Sequence, residues 1–239
     1  KLLDAILLQA ELLELKANPD RRAVGNVIES GMEQGGPTAT VLVRKGTLTV
    51  GDIVICGQYF GKARALINED GQRMKTAGPS YAVKLLGLNG VPEAGDEFNS
   101  VDNEKAAREL AEDRGDAAHK EKLDGRAAGV TLENLFDQID ATTAKVLKVI
   151  VKADTQGSVE AICESLSKIE SDKVDLEVIH NAVGTVTESD VHLAASSQAV
   201  ILGFHTRVDK TAPDAAKQHG VQIKQYKIIY ELIDEMKDA

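Results

Sequence analysis

Leu2, Leu3, Ile6, Leu7, Ala10 and Leu13 recur at helical spacing, with acids and amides between them. The pattern predicts an amphipathic helix that stops at Asn18-Pro19-Asp20. Its wide apolar stripe needs a partner, so residues 1–20 are expected to be the terminal helix of a preceding domain. From Val24 to Phe98 the pattern changes to short β-branched runs broken by Gly, Pro, Asn and Asp. Strands are predicted at Thr38–Val43, Ile53–Cys56, Lys62–Asn68 and Tyr81–Leu88, with a hairpin turn at Glu69-Asp70-Gly71. About six or seven such strands in residues 21–100 suggest a small closed barrel, which leaves no exposed edge.

Residues 101–145 are polar and helical in composition, clearest over Asn103–Asp113, with Gly115, Gly125 and Gly129 expected to interrupt the run. Thr131 can cap a second helix with Leu132, Leu135, Phe136 and Ile139 on one face. This stretch is expected to be a helical, partly flexible linker. Beyond it, strands and helices alternate. Val146–Lys152, Val174–Ile179, Ala199–Gly203 and Val221–Lys224 are predicted strands. Ser158–Ile169, Glu188–Ala195, Pro213–His219 and Lys227–Lys237 are the helices that follow them. Four β–α pairs over residues 146–239 imply a four-stranded, mostly parallel sheet covered on both faces, an α/β/α sandwich.

The net charge of −10 argues against a general nucleic-acid binder, but it is uneven. Residues 21–100 carry 9 basic and 8 acidic side chains, or +1, while the other three regions have an acidic excess. Arg21, Arg22, Arg44, Lys45, Lys62 and Arg64 are therefore the candidate RNA contacts. With no Trp and 3% aromatic residues, the expected contact is to phosphate and shape rather than to bases. Cys56 and Cys163 are the only cysteines and provide no disulfide framework; both are expected to be small buried groups. No run approaches the ~20 apolar residues of a membrane span. The histidines never fall at metal-ligand spacing with another His or Cys, so no metal site is expected.

Strand, Asp154-Thr155-Gln156-Gly157-Ser158, then helix is the most suggestive local feature. A helix N-terminus supplies free N–H groups, yet the chain has neither G-x-x-x-x-G-K-[ST] nor G-x-G-x-x-G. The turn reads first as structural, with Ser158 as helix cap. Thr187 and Asp190 have capping-box spacing, with Asp in place of Glu or Gln. Because ligands bind at strand ends in open parallel sheets, Asp154, His180 and Asn181 are expected to share a crevice. Asp154, Gly157, Ser158 and His180 are the candidate interdomain contacts, and no catalytic residue is expected. The alternatives are an α/β domain that holds a small phosphorylated ligand, and a protein–protein adaptor.

ILLQAELLELKANPDRRAVGNVIES resembles the junction between the GTP-binding and second domains of bacterial translation initiation factor two. TVLVRKGTLTVGDIVICG and VPEAGDEF are similar to the second-domain barrel of translational GTPases. LKVIVKADTQGSVEAICESL, GTVTESDVHLAA, AVILGF and YKIIYELIDEMK resemble that factor family's third domain. The resemblance implies an internal segment of a cytoplasmic, GTP-dependent factor. It would bring initiator tRNA to the small ribosomal subunit and its RNA and promote joining of the large subunit. GTP and magnesium would then belong to a domain before Lys1, and initiator tRNA to one after Ala239; this segment itself would need no cofactor. A monomer that does not enter membranes is expected.

Overall fold

The computed structural model describes residues 1–33, 35–127, 145–169 and 174–238. The alternating residues 24–101 form β1 (Val24–Glu33), β2 (Gly36–Lys45), β3 (Leu48–Thr49), β4 (Ile53–Cys56), β5 (Tyr59–Ile67), β6 (Arg73–Met74), β7 (Thr76–Ala77), β8 (Ala82–Leu88) and β9 (Glu97–Val101). Pairing runs β4-β9-β1-β2-β8-β5 and returns to β4, all antiparallel, so six strands close a barrel. Val41, Val43, Val54, Leu66, Val83, Leu85 and Phe98 fill its interior. Strand β1 passes very close to β2: a Cβ on Gly25 would lie 1.9 Å from the Leu42 carbonyl oxygen, so only glycine fits there.

Ahead of the barrel, α1 (Leu2–Leu13) forms as its periodicity predicts and none of its residues is buried. It ends at Glu14 in the left-handed region. The Gly46 and Thr47 amides donate to the Asn18 and Arg21 carbonyls, so the chain is tied to the barrel from Asn18 onward.

Helix α2 (Glu104–Ala127) corrects the expectation that Gly115 and Gly125 interrupt the linker, for it runs unbroken through both. A helical glycine costs only about 1 kcal/mol. Strong helix formers surround it, and Lys105–Glu109 and Arg108–Glu112 pair at i,i+4. Ala107 and Ala111 are buried, and Arg114 donates to the Gly57 carbonyl at the β4–β5 turn. The first half of α2 is thus docked on the barrel. Gly129 and the predicted helix after Thr131 lie outside the described residues.

The second unit contains β10 (Lys145–Ala153), α3 (Gln156–Ser167), β11 (Val174–Val183), α4 (Glu188–Ser197), β12 (Val200–Phe204), α5 (Ala212–His219), β13 (Ile223–Tyr226) and α6 (Ile229–Asp238). Its sheet is wholly parallel in the order β11-β10-β12-β13. Ile150 and Ile201 face α4 and α5, whereas Val149, Val151 and Leu202 face α3 and α6. Burial on both faces explains why these strands read as continuous apolar runs. The expected α/β/α sandwich is the observed fold. Leu202→Ala should lower the stability of this unit by about 2–5 kcal/mol in urea unfolding. A loss under about 1 kcal/mol would mean that the Leu202 side of the sheet is not tightly packed.

Candidate interdomain site and RNA-facing surface

The chain leaves β10 for the outer strand β11, then returns across β10 to β12, so the order reverses between β10 and β12. At such a reversal the loops after the two strands diverge and leave a crevice at their carboxyl ends. Asp154, Gly184, Thr185, His205, Thr206 and Arg207 line it, and its volume is about 490 Å³. The Thr206 hydroxyl donates to the Gly184 carbonyl at 2.6 Å, and His205 Nε2 lies 2.7 Å from the Lys227 carbonyl oxygen. His205 itself has φ 50°, a left-handed turn straight after β12.

The same crevice receives the end of the barrel's β1–β2 hairpin, with Met32, Glu33 and Gly35 along its wall. The Met32 amide donates to the Asp154 carbonyl at 3.2 Å, and Gly31 forms an antiparallel bridge with Thr155. Gly31 is needed there, because a Cβ would stand 2.7 Å from the Asp154 carbonyl oxygen. A few ångströms away, Met32 packs at Gly184, which has φ 116°. Asp154 Oδ1 is buried with no hydrogen-bond partner among the described residues.

Among the candidate contacts, Asp154 lies at this junction and Ser158 lies beside it. The Ser158 amide donates to Thr155 Oγ1 at 3.4 Å, and the two hydroxyls are 3.0 Å apart. Thr155, not Ser158, is therefore the cap, because α3 starts two residues earlier than its periodicity suggests. Gly157 is exposed, and a Cβ there would meet nothing within 4 Å. His180 pairs with Ile150 inside the sheet, because β11 runs on to Val183. Asn181 donates to Cys163 Sγ on α3 instead of entering the crevice. Sequence reasoning missed the hairpin end, Gly184 and the His205–Arg207 turn; the Gly residues were a signal for turns, but not for what they would meet.

Below the crevice, Lys152 of β10 and Asp190 of α4 form an ion pair at 3.3 Å, each only 7% exposed. Asp190 Oδ2 also accepts from the Thr187 amide at 2.8 Å, completing the capping box read from the sequence. One carboxylate thus joins the strand end to the helix start.

The cationic candidates divide into two groups. Val24 pairs with Lys45, and Arg22 bridges to Thr47, which gathers Arg21, Arg22, Arg44 and Lys45 at one end of β2. Lys62 and Arg64 lie on β5 toward the opposite end of β8. Of these six, only Arg22 forms an ion pair among the described residues, with Asp102.

Neither cysteine is suited to nucleophilic chemistry. Burial, with Asp96 nearby, pushes the Cys56 thiol up to about 12. Burial also raises Cys163, opposed by the Asn181 hydrogen bond. Among the described residues no three His, Cys, Asp or Glu side chains form a metal-binding group. No described helix is long and apolar enough to cross a membrane.

A six-stranded barrel followed by a parallel α/β/α unit, in contact at a strand-order reversal, defines a two-domain class of protein that its relatives identify. Residues 22–101 match the family described as elongation factor G domain 2, and residues 121–237 match translation-initiation factor 2. This chain is a homologue of bacterial translation initiation factor IF-2, from the middle of that factor. It is 52% identical over its whole length to the IF-2 of Jannaschia sp. (strain CCS1), of which it covers 29%. It is 50% identical to that of Clostridium botulinum (strain Alaska E43 / Type E3), again over its whole length and covering 35% of that relative. The chain thus spans about a third of the curated relatives it matches. In fold it is similar to GDP-bound aIF5B from Aeropyrum pernix, with TM-score 0.50 and 24% identity over 99% of this chain and 39% of that one.

Asp190→Ala should cost about 3–5 kcal/mol in urea unfolding, because it strands the Lys152 ammonium in the interior. Asp190→Ala with Lys152→Met should recover most of that loss. If the single and double variants unfold alike, the stranded ammonium is not the cause.

Proposed function

We propose that this chain is the central segment of an initiation factor in which the barrel docks on small-subunit ribosomal RNA. The α/β unit relays movement between a GTP-binding end and an initiator-tRNA-binding end. In this reading the whole factor is a cytoplasmic GTPase that promotes subunit joining. GTP and magnesium are held outside this chain, as is initiator tRNA. The observation that carries the relay is the barrel hairpin seated in the strand-end crevice, through Met32 to Asp154. A displacement of the barrel acts there on backbone that continues directly into α3, rather than on a side chain that can rotate away.

RNA docking is supported by the Arg21, Arg44 and Lys45 group, whose charges have no acidic partner among the described residues and are free to meet phosphate. A small phosphorylated ligand is the weaker alternative, because Asp154 and Glu33 both line the crevice wall and disfavour an anion. A pure protein adaptor is separated by salt dependence.

Two measurements test the reading. In co-sedimentation with small ribosomal subunits across a salt series, Arg44→Ala with Lys45→Ala should weaken binding and flatten the log–log salt slope by about 1.5. Binding that ignores both salt and these residues would exclude docking through phosphate. For the relay, labels on the barrel and the α/β unit of the whole factor should report a distance change between GTP and GDP states. Gly31→Val should abolish that change by pushing the hairpin off the Asp154 carbonyl. An undiminished change in the variant would refute transmission through this contact.

A further inference from the structure

One groove on the barrel is lined by barrel residues alone. It has a volume of about 630 Å³ and is bordered by Thr40, Asn68, Glu69, Ser80, Tyr81 and Lys84. Tyr81 is 53% exposed, although it follows directly on the loop that feeds β8. The preceding Ser80 has φ 68°, a backbone state that costs a non-glycine residue of order 1 kcal/mol. That turn is held by the Ser80 amide donating to the Val43 carbonyl at 2.7 Å and the Val43 amide donating to the Tyr81 carbonyl at 2.9 Å. The loop is thus pinned to β2 through its backbone while the phenol ring stays in solvent.

The charges around the ring are sorted. On β2, Val41 and Val43 point into the barrel, so Thr40, Leu42 and Arg44 share its outer face. Arg44 is about 14 Å along the strand from Thr40. It follows Val43, whose backbone bonds Ser80 and Tyr81, and its own guanidinium donates across to Asn26 Oδ1 on β1 at 3.3 Å. Inside the groove the ionic side chains are Glu69 and Lys84, and Lys84 is already paired with Glu33. A phosphate is therefore disfavoured in the interior by Glu69, while Arg44, on the same outer face of β2, has no acidic partner among the described residues. A nucleobase has the opposite requirements: an aromatic face to stack on and acceptors for its amino or imino hydrogens.

We infer that this groove is a subsite for one unstacked nucleobase of a single-stranded RNA segment, stacked on Tyr81 with a neighbouring phosphate on Arg44. The subsite rests on the RNA-docking reading above and adds a base contact to it. It also revises the expectation, drawn from aromatic content, that the barrel touches only phosphate and shape. One exposed ring in the right place is enough for one base.

The test is titration of the 239-residue chain with a short single-stranded RNA that carries one 2-aminopurine, read by fluorescence. Stacking should quench the probe on binding. Tyr81→Ala should weaken binding about 10-fold or more and abolish the quench, while Tyr81→Phe keeps both. Thermal unfolding of Tyr81→Ala should match the parent chain, because the ring packs in no core. Arg44→Ala should lower affinity and the salt slope, yet leave the bound RNA quenched. If Tyr81→Ala binds and quenches like the parent, the base subsite is refuted and the RNA-docking reading stands. No saturable, salt-sensitive binding by the parent would refute both. A photo-crosslinker at position 81 that labels a ribosomal protein instead of RNA on the small subunit would also overturn the subsite, in favour of a peptide in the groove.

Discussion

Strand β10 cannot satisfy its backbone or hide its side chains without partners on every side. It bonds β11 along one edge and β12 along the other. Its successive residues Val149, Ile150 and Val151 enter opposite cores. At its end, Lys152 is neutralised by the start of α4, and the Asp154 carbonyl accepts from the barrel. Four separate elements therefore meet the last few residues of one strand. The Gly31–Thr155 bridge and the packing of Met32 at Gly184 complete the join to the barrel hairpin.

The crevice beyond that strand is a consequence of topology. Parallel strands leave their carboxyl ends open, and the reversal of strand order parts the loops above them. In many α/β proteins that opening admits a ligand. Here the barrel supplies part of the wall, through a hairpin whose glycine allows backbone to approach backbone. A contact of this kind is specific in geometry but small. Helix α2 reinforces the division, because its first half is docked on the barrel through Ala107, Ala111 and Arg114.

On the barrel, charge and shape are separated along a single strand face. Arg21, Arg44 and Lys45 lack acidic partners among the described residues at one end of β2, and the groove with Glu69 and Tyr81 opens elsewhere on the barrel surface. This uneven placement stands against a strongly acidic whole chain.

Much of the fold was legible along the chain. Ile53–Cys56 is a strand with the predicted bounds, and the four β–α pairs appear in order, because period-2 and period-3.6 patterns are local consequences of burial. The Thr187–Asp190 box was equally legible, since a cap spans only three residues. By contrast, Gly115 could not be read correctly from the sequence, because its small cost is outweighed by buried alanines that meet a distant hairpin. The sequence pattern puts His180 at a strand end, but β11 continues three residues further to pair with β10. The partner of Asp154 was beyond reach for the same reason: Met32 lies over a hundred residues earlier, and only the closed barrel carries it there. Sequence determined which residues form strands, helices and caps, because those depend on neighbours a few positions away. Tertiary structure alone decided which turns face one another and which ring stays in water, because those depend on how strands close and cross.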